Sequence, residues 1–522
     1  MRVFVGRATD ARHEPVGAVL RTAVRWASGL GRRPSRSRSQ LERDRRSDHG
    51  RAWRGDGEAE WAASLGDEGT AIDLAIRGGI VVTARDTARA DVGIQDGRIV
   101  AVGDVGQASR ELDAAGKLVL PGCVDLHTHL ASTPTFTPLD DFEHGTRAAI
   151  AGGVTTVCSM VYQEGTLRAG IERGLRDAER SLADFAFHVV VTDPSDAAIA
   201  ELPSLVRDGH TGLKVFMVTP RFGDRITDYV RLLRAAAEAG MLTAVHAEDH
   251  EIVVRATTML HAAGHDGVRY FPESRPAAAE DVAIRAAAQL ATKTGAAMYF
   301  VHLSSRVALA ALADAKARGL RVYGETRPLY LYLTRERFER PDAALWVGQP
   351  PLREREDVDA IWDALRGGLL DTVGTDHYPH RRAAKLAPDL AFDRVPPGVA
   401  NLETLLPMLY SEGVRRGRLT VERMVDVLAT SPARIAGLRG KGEIALGNDA
   451  DVVIFDPEHT RTIRASEMHS ACDYDPYEGW EVTGWPAVTL LRGEVAYAEG
   501  EILAQPGQGR LVARDPSHGA PS

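Results

Sequence analysis

From about Ala71 onward the chain carries short runs in which apolar and polar residues alternate around glycine turns: DLAIRGGIVV, ADVGIQDGRIVAVG and KLVL. A period of two marks half-buried β-strands. The same pattern returns near the other end in KGEIALGNDADVVIFDP and AVTLLRGEVAYAEGEI. Two β-rich segments flanking a long insert predict one small β-sandwich domain, built from residues 71–118 and 436–505.

The insert, residues 119–435, has a different rhythm. Compact apolar runs such as FHVVV, GLKVFMV, LTAVHAE, MYFVHLSS and DTVGTDH alternate with helical stretches such as DYVRLLRAAAEAG and VALAALADAKARG. Repetition of βα units over about 300 residues predicts the α/β class, here a closed (β/α)8 barrel. An open doubly wound sheet is the alternative, but no GxGxxG loop follows the first strand. Residues 1–70 lack apolar periodicity and read as a disordered, Arg-rich extension or as the product of a start placed upstream. Residues 506–522 read as a tail.

Charge sharpens this division. Residues 1–70 hold 14 Arg and 10 acidic residues, a net of +4 against −9 for the whole chain, so the remainder carries −13. A body that acidic is not expected to bind nucleic acid. Arg32 and Arg33 precede PSRSRSQ rather than an apolar run, so no export signal is read there. No apolar stretch approaches the roughly 18 residues a membrane helix needs. The three cysteines, Cys123, Cys158 and Cys472, form no zinc or disulfide pattern, which suits a cytoplasmic protein. Only six lysines occur beside 57 arginines. A lysine kept in an apolar strand therefore draws attention, because the two cations differ chemically.

Such a lysine is Lys214, in GLKVFM. Its ordinary role would be that of a snorkelling or ion-paired ammonium. Its chemical role would be a neutral amine that captures carbon dioxide as a carbamate, an anion able to bridge two metals. Histidines close neighbouring strands: His127 and His129 in PGCVDLHTHL, His246 in LTAVHAED and His302 in MYFVHLSS, while DTVGTDHYPH delivers Asp376. Each alone reads as a core or turn residue. Together they occupy five strand ends, and a barrel gathers the C-terminal ends of its strands at one mouth. Four imidazoles, one bridging anion and one carboxylate suit two divalent cations such as zinc. Metal binding pulls the pKa of water from about 15.7 towards about 7, and Asp376 is placed to move the proton.

At these residues the sequence resembles the cyclic amidohydrolases: dihydropyrimidinase, hydantoinase, allantoinase and dihydroorotase. The resemblance runs from about residue 71 to 505 through PGCVDLHTHL, GTRAAIAGGVTTV, GLKVFM, AVHAED, VHLSS, GETRPLYLYL, QPPLRE, GTDHYPH, PPGVANLE and KGEIALGNDADVVIFDP. It implies that His127, His129, Lys214 and Asp376 hold one metal, and that carboxylated Lys214, His246 and His302 hold the other. It also implies zinc, a homotetramer, and opening of a cyclic amide or imide to an N-carbamoyl acid. The substrate-facing half departs from the family pattern. Ala131 stands where dihydroorotases carry an Arg, which counts against that activity. Thr219 stands where a tyrosine is usual, so oxyanion support must come from the metals or another donor. Gln349 replaces a serine, and the asparagine that the family pattern leads one to expect in PPGVANLE is either displaced to Asn401 or missing. Thr219, Gln349 and Asn401 are thus the substrate-side candidates. Collapsin response mediator proteins share the resemblance as metal-free scaffolds, but here all six ligand positions are filled.

Overall fold

A computed structural model describes residues 63–64, 72–133 and 135–516 of the protein. The extension expected over residues 1–70 lies outside the described residues, apart from Ala63–Ser64. Those two residues form a short strand antiparallel to Arg98–Gly103.

Eight parallel strands form the central sheet: β1 Cys123–Thr128, β2 Val154–Tyr162, β3 Asp184–Val190, β4 Gly212–Phe216, β5 Leu242–His246, β6 Ala297–Phe300, β7 Val322–Thr326 and β8 Thr372–Val373. They are ordered sequentially, and the seam between β8 and β1 is bridged by Thr128 and His377. The His129 N–H donates to the His377 carbonyl at 3.0 Å across that seam. Helices cover the outside. Ile226–Glu238 shows why: its buried residues Tyr229, Leu232, Leu233 and Ala236 recur at helical spacing and face the barrel. Asp141, Thr166, Ser195, Asp249 and Ser305 each cap a helix by accepting a backbone N–H of its first turn. The expected barrel is present.

Inside the barrel pack Val124, Leu126, Cys158, Ala186, Ala244, Tyr299 and Val301, and Ile435 and Leu438 belong to the same cluster. Within the stretch expected as a tail, residues 510–515 run along the barrel. Phe185 bridges Leu511, Leu438 bridges Arg514, and the buried Arg514 guanidinium donates to the carbonyls of Ala436 at 2.8 Å and Phe187 at 2.9 Å.

Both ends of the chain supply the second domain, as the alternating patterns predict. A five-stranded sheet uses Ala63–Ser64, Ile72–Arg77, Asp91–Gln95, Arg98–Gly103 and Ala108–Asp113. A seven-stranded sheet joins Ile80–Val82, Thr87–Arg89 and Leu118–Pro121 to Val452–Thr462, Glu481–Leu491, Glu494–Ala498 and Glu501–Ile502. Leu74, Ile76, Val92, Ile94, Val119, Val452, Ile454 and Leu490 fill the space between the sheets. Among the described residues no helix is long and apolar enough to cross a membrane.

Candidate active site

Strand ends deliver the reactive side chains to a single cavity of about 170 Å3. His127 and His129, two residues apart at the end of β1, both reach Asp376 beyond β8. His129 Nε2 lies 3.0 Å and His127 Nε2 3.3 Å from Asp376 Oδ1. Across the cavity, β4 brings Lys214, β5 brings His246 and the turn after β6 brings His302. Nδ1 of His246 and Nε2 of His302 lie 3.0 Å apart. The structure thus brings together His127, His129, Lys214, His246, His302 and Asp376, with Gln349 in the same wall. Two of them sit in the left-handed backbone region that side chains rarely adopt, His302 at φ 46° and Asp376 at φ 49°. Such strain persists only where the surroundings enforce it, and it collects at functional sites.

Not every expected residue arrives. Thr219 is absent from the cavity wall: its Oγ1 donates to the Phe216 carbonyl at 3.2 Å, just before the helix Pro220–Asp224. Asn401 is buried outside the wall, and its N–H points at His377 Nδ1 at 3.2 Å. The wall contains instead two tyrosines, Tyr162 and Tyr378, and the apolar side chains of Phe216 and Val218.

A layer of buried acids lies behind the histidines. Glu325 Oε1 meets His127 Nδ1 at 2.8 Å and accepts the His302 N–H at 3.0 Å, while Oε2 accepts the Tyr299 hydroxyl at 2.5 Å. Glu248 Oε2 meets His246 Nε2 at 2.7 Å and is itself paired with Arg275. Asp125 accepts the His127 N–H at 3.0 Å and is bonded by Thr375. Glu325 and Glu248 fix which ring nitrogen faces the cavity, leaving Nε2 of His127 and Nδ1 of His246 turned toward it, while Asp125 anchors the His127 backbone. Gly374 is required here, because any side chain at that position would collide with the Glu325 carboxylate. In the sequence the only signal of this layer is an acid inside an apolar strand, as in VYGET.

Electrostatics follow from burial. Lys214 is fully buried, and its Nζ has no hydrogen-bond partner among the described residues. Burial lowers its pKa to about 8, against the opposing pull of Asp376 and Glu325. Burial also pushes Glu325 up to about 7. Burial would raise Asp376 as well, but Arg327, His127 and His129 together hold it well below the usual carboxylate range. The Arg327 guanidinium, fully buried, lies 3.0 Å from Asp376 Oδ2. Burial pushes the Tyr378 phenol up to about 12 and the Tyr162 phenol higher still.

This donor set fits divalent cations. His127, His129 and Asp376 offer ligand atoms all within 4.8 Å of one another. His246 and His302 present a second converging pair, and the uncompensated Nζ between the groups is a polar atom whose burial is costly unless it is derivatised or ligating.

Residues 118–496 match the Amidohydrolase family. The chain belongs to that family. Among its amidohydrolase relatives, the D-hydantoinase of Ralstonia pickettii is 38% identical over 456 residues, spanning 85% of this chain and 99% of that protein. The D-hydantoinase of Geobacillus stearothermophilus is also 38% identical, over 84% of this chain and 96% of its own length. The crystal structure of dihydropyrimidinase from Brevibacillus agri NCHU1002 superposes with a TM-score of 0.81 at 36% identity, covering 85% of this chain and 99% of that one. The resemblance to hydantoinase-like amidohydrolases drawn from the motifs is borne out.

Proposed function

We propose that the protein hydrolyses a cyclic ureide or imide, opening a ring amide to an N-carbamoyl acid, in the manner that the names of its D-hydantoinase and dihydropyrimidinase relatives suggest. The observation that carries this reading is the convergence in one cavity of four histidines, Asp376 and a buried lysine whose Nζ has no hydrogen-bond partner among the described residues. His127, His129, Lys214 and Asp376 would hold one divalent cation, and Lys214, His246 and His302 a second, with zinc suited to the imidazole-rich set. Bound there, the cations supply Lewis acidity and lower the pKa of nearby water.

The chain's own residues do the rest. Lys214, as a neutral amine, adds carbon dioxide through Nζ and loses a proton, becoming the carbamate that joins the two halves of the site. Asp376 is ionised; it accepts the proton of the attacking water and returns it to the ring nitrogen as the C–N bond breaks. Glu325 and Glu248 keep His127 and His246 in the ligating tautomers. Gln349 faces the ring from the cavity wall. Thr219 and Asn401, expected on the substrate side, act there only if the ring reaches beyond that wall. Assembly as a homotetramer in the cytoplasm belongs to the same reading, carried by the family resemblance and the three free cysteines.

A panel of cyclic ureides and imides tested with zinc-loaded protein decides the matter. The expected result is an N-carbamoyl acid from at least one ring, and a kcat lower by about 10²-fold or more in Asp376→Asn. Failure to open any ring rejects the hydrolase reading. Equal turnover by Asp376→Asn rejects the proton route.

A further inference from the structure

The cavity has two unlike sides. β2 and β8 are the neighbours of β1 in the barrel, and each contributes a tyrosine beside the His127 and His129 pair. Tyr162 closes β2, and Tyr378 follows Asp376 by two residues. The Tyr378 ring is wedged among His129 at 5.1 Å, His380 at 4.8 Å and Phe136 at 5.7 Å between centroids. Gly398 permits this packing, since a Cβ there would strike the Tyr378 backbone. On the β4 side the wall is Phe216 and Val218. The hydroxyl of Thr219 is turned away to the Phe216 carbonyl.

Neither Tyr162 nor Tyr378 has a hydrogen bond to its phenol oxygen among the described residues, although both line the cavity. A phenol is fully protonated at neutral pH, with an ordinary pKa near 10. Two held donors that face a reaction cavity and leave their hydrogen bonds unused within the protein are prepared for an acceptor on the substrate.

We propose that Tyr162 and Tyr378 donate hydrogen bonds to the ring-carbonyl oxygen that gains negative charge as water adds, and so determine which carbonyl is opened. This rests on the hydrolase reading above. Water forms the new C–O bond, the ring C–N bond breaks, and the proton travels through Asp376 to nitrogen; the phenol protons stay in place. The same placement orients the ring: its polar edge faces β8, β1 and β2, and its substituent lies against Phe216 and Val218. The donor role that the family resemblance leads one to expect at residue 219 thus moves to the opposite rim.

The test uses full-length, zinc-loaded Tyr162→Phe and Tyr378→Phe, which remove one oxygen each and keep the ring. Each should lower kcat/KM for a 5-substituted hydantoin by about 10- to 100-fold, mostly in kcat, because the bond strengthens as charge develops. Calorimetry should show binding of the N-carbamoyl amino acid product, whose carboxylate carries the same oxygen, weakened about 10-fold or more. Zinc content and melting temperature should match the parent. If the parent opens the ring and either variant keeps kcat/KM and product affinity within about twofold, the assignment is wrong while the hydrolase reading stands. If the parent opens no ring, both fall together.

Discussion

Glu325 grips Nδ1 of His127 at 2.8 Å while holding the Tyr299 hydroxyl at 2.5 Å with its other oxygen. The carboxylate therefore sets the imidazole from behind, so that Nε2 presents its lone pair to the cavity. Outer partners of this kind typically contribute 10- to 100-fold to metal affinity. Glu325→Ala should weaken zinc binding by about that factor, measured by competition against a chelator, with the fold intact by circular dichroism. Unchanged affinity would show that His127 needs no such support.

Lys214 carries the second expectation. Lys214→Arg should lose both metal and activity, since a guanidinium cannot form a carbamate. Lys214→Ala should lose activity too, and recover part of it when a short carboxylic acid is added to take the bridging position. Elemental analysis and turnover, measured side by side, check both variants. A fully active Lys214→Arg would eliminate the carbamate.

Asp475, which does not line the cavity, predicts a pH effect on stability. Burial pushes its carboxyl up to about 7, with Glu403 and Glu478 adding to the rise and the Tyr477 N–H opposing it. An unfolded aspartate loses its proton near pH 3.9. The folded state thus binds the extra proton between about pH 4 and 7, and this group costs stability increasingly as pH rises across that window. Asp475→Asn keeps the acceptor for Tyr477 and removes the charge. Its melting temperature should equal the parent's near pH 4 and exceed it by several degrees at pH 8. A constant difference at both pH values would contradict this.

The barrel and the six ligand-type residues were legible because each clue has a short period. A strand end announces itself by an apolar run, and His127, His129, His246, His302 and Asp376 sit at or just beyond such ends, whereas Lys214, expected at one, stands in the middle of Gly212–Phe216. The supporting acids were harder to read, because a single Glu in VYGET is silent until folding brings residue 325 beside residue 127. Tyr162 and Tyr378 were missed for the same reason, as their meaning lies in flanking β1 from either side. Thr219 misled in the opposite direction. The family resemblance placed it near the ring, but the chain turns into the helix Pro220–Asp224 and takes its hydroxyl away. The two left-handed residues, His302 and Asp376, had no sequence signal, since neither is glycine.

Arg514 has a consequence for how the protein is made. Its guanidinium bonds to the Phe187 carbonyl 327 positions earlier in the chain, and the strand Val452–Thr462 pairs with Leu118–Pro121 from the opposite end. A ribosome that has emitted all eight barrel strands has therefore still not supplied the pieces that join the barrel to its companion sheet. Until then the exposed apolar edge of Leu118–Pro121 is a surface for chaperones to guard. Premature termination anywhere before residue 452 should leave an aggregation-prone nascent chain in place of a shortened enzyme.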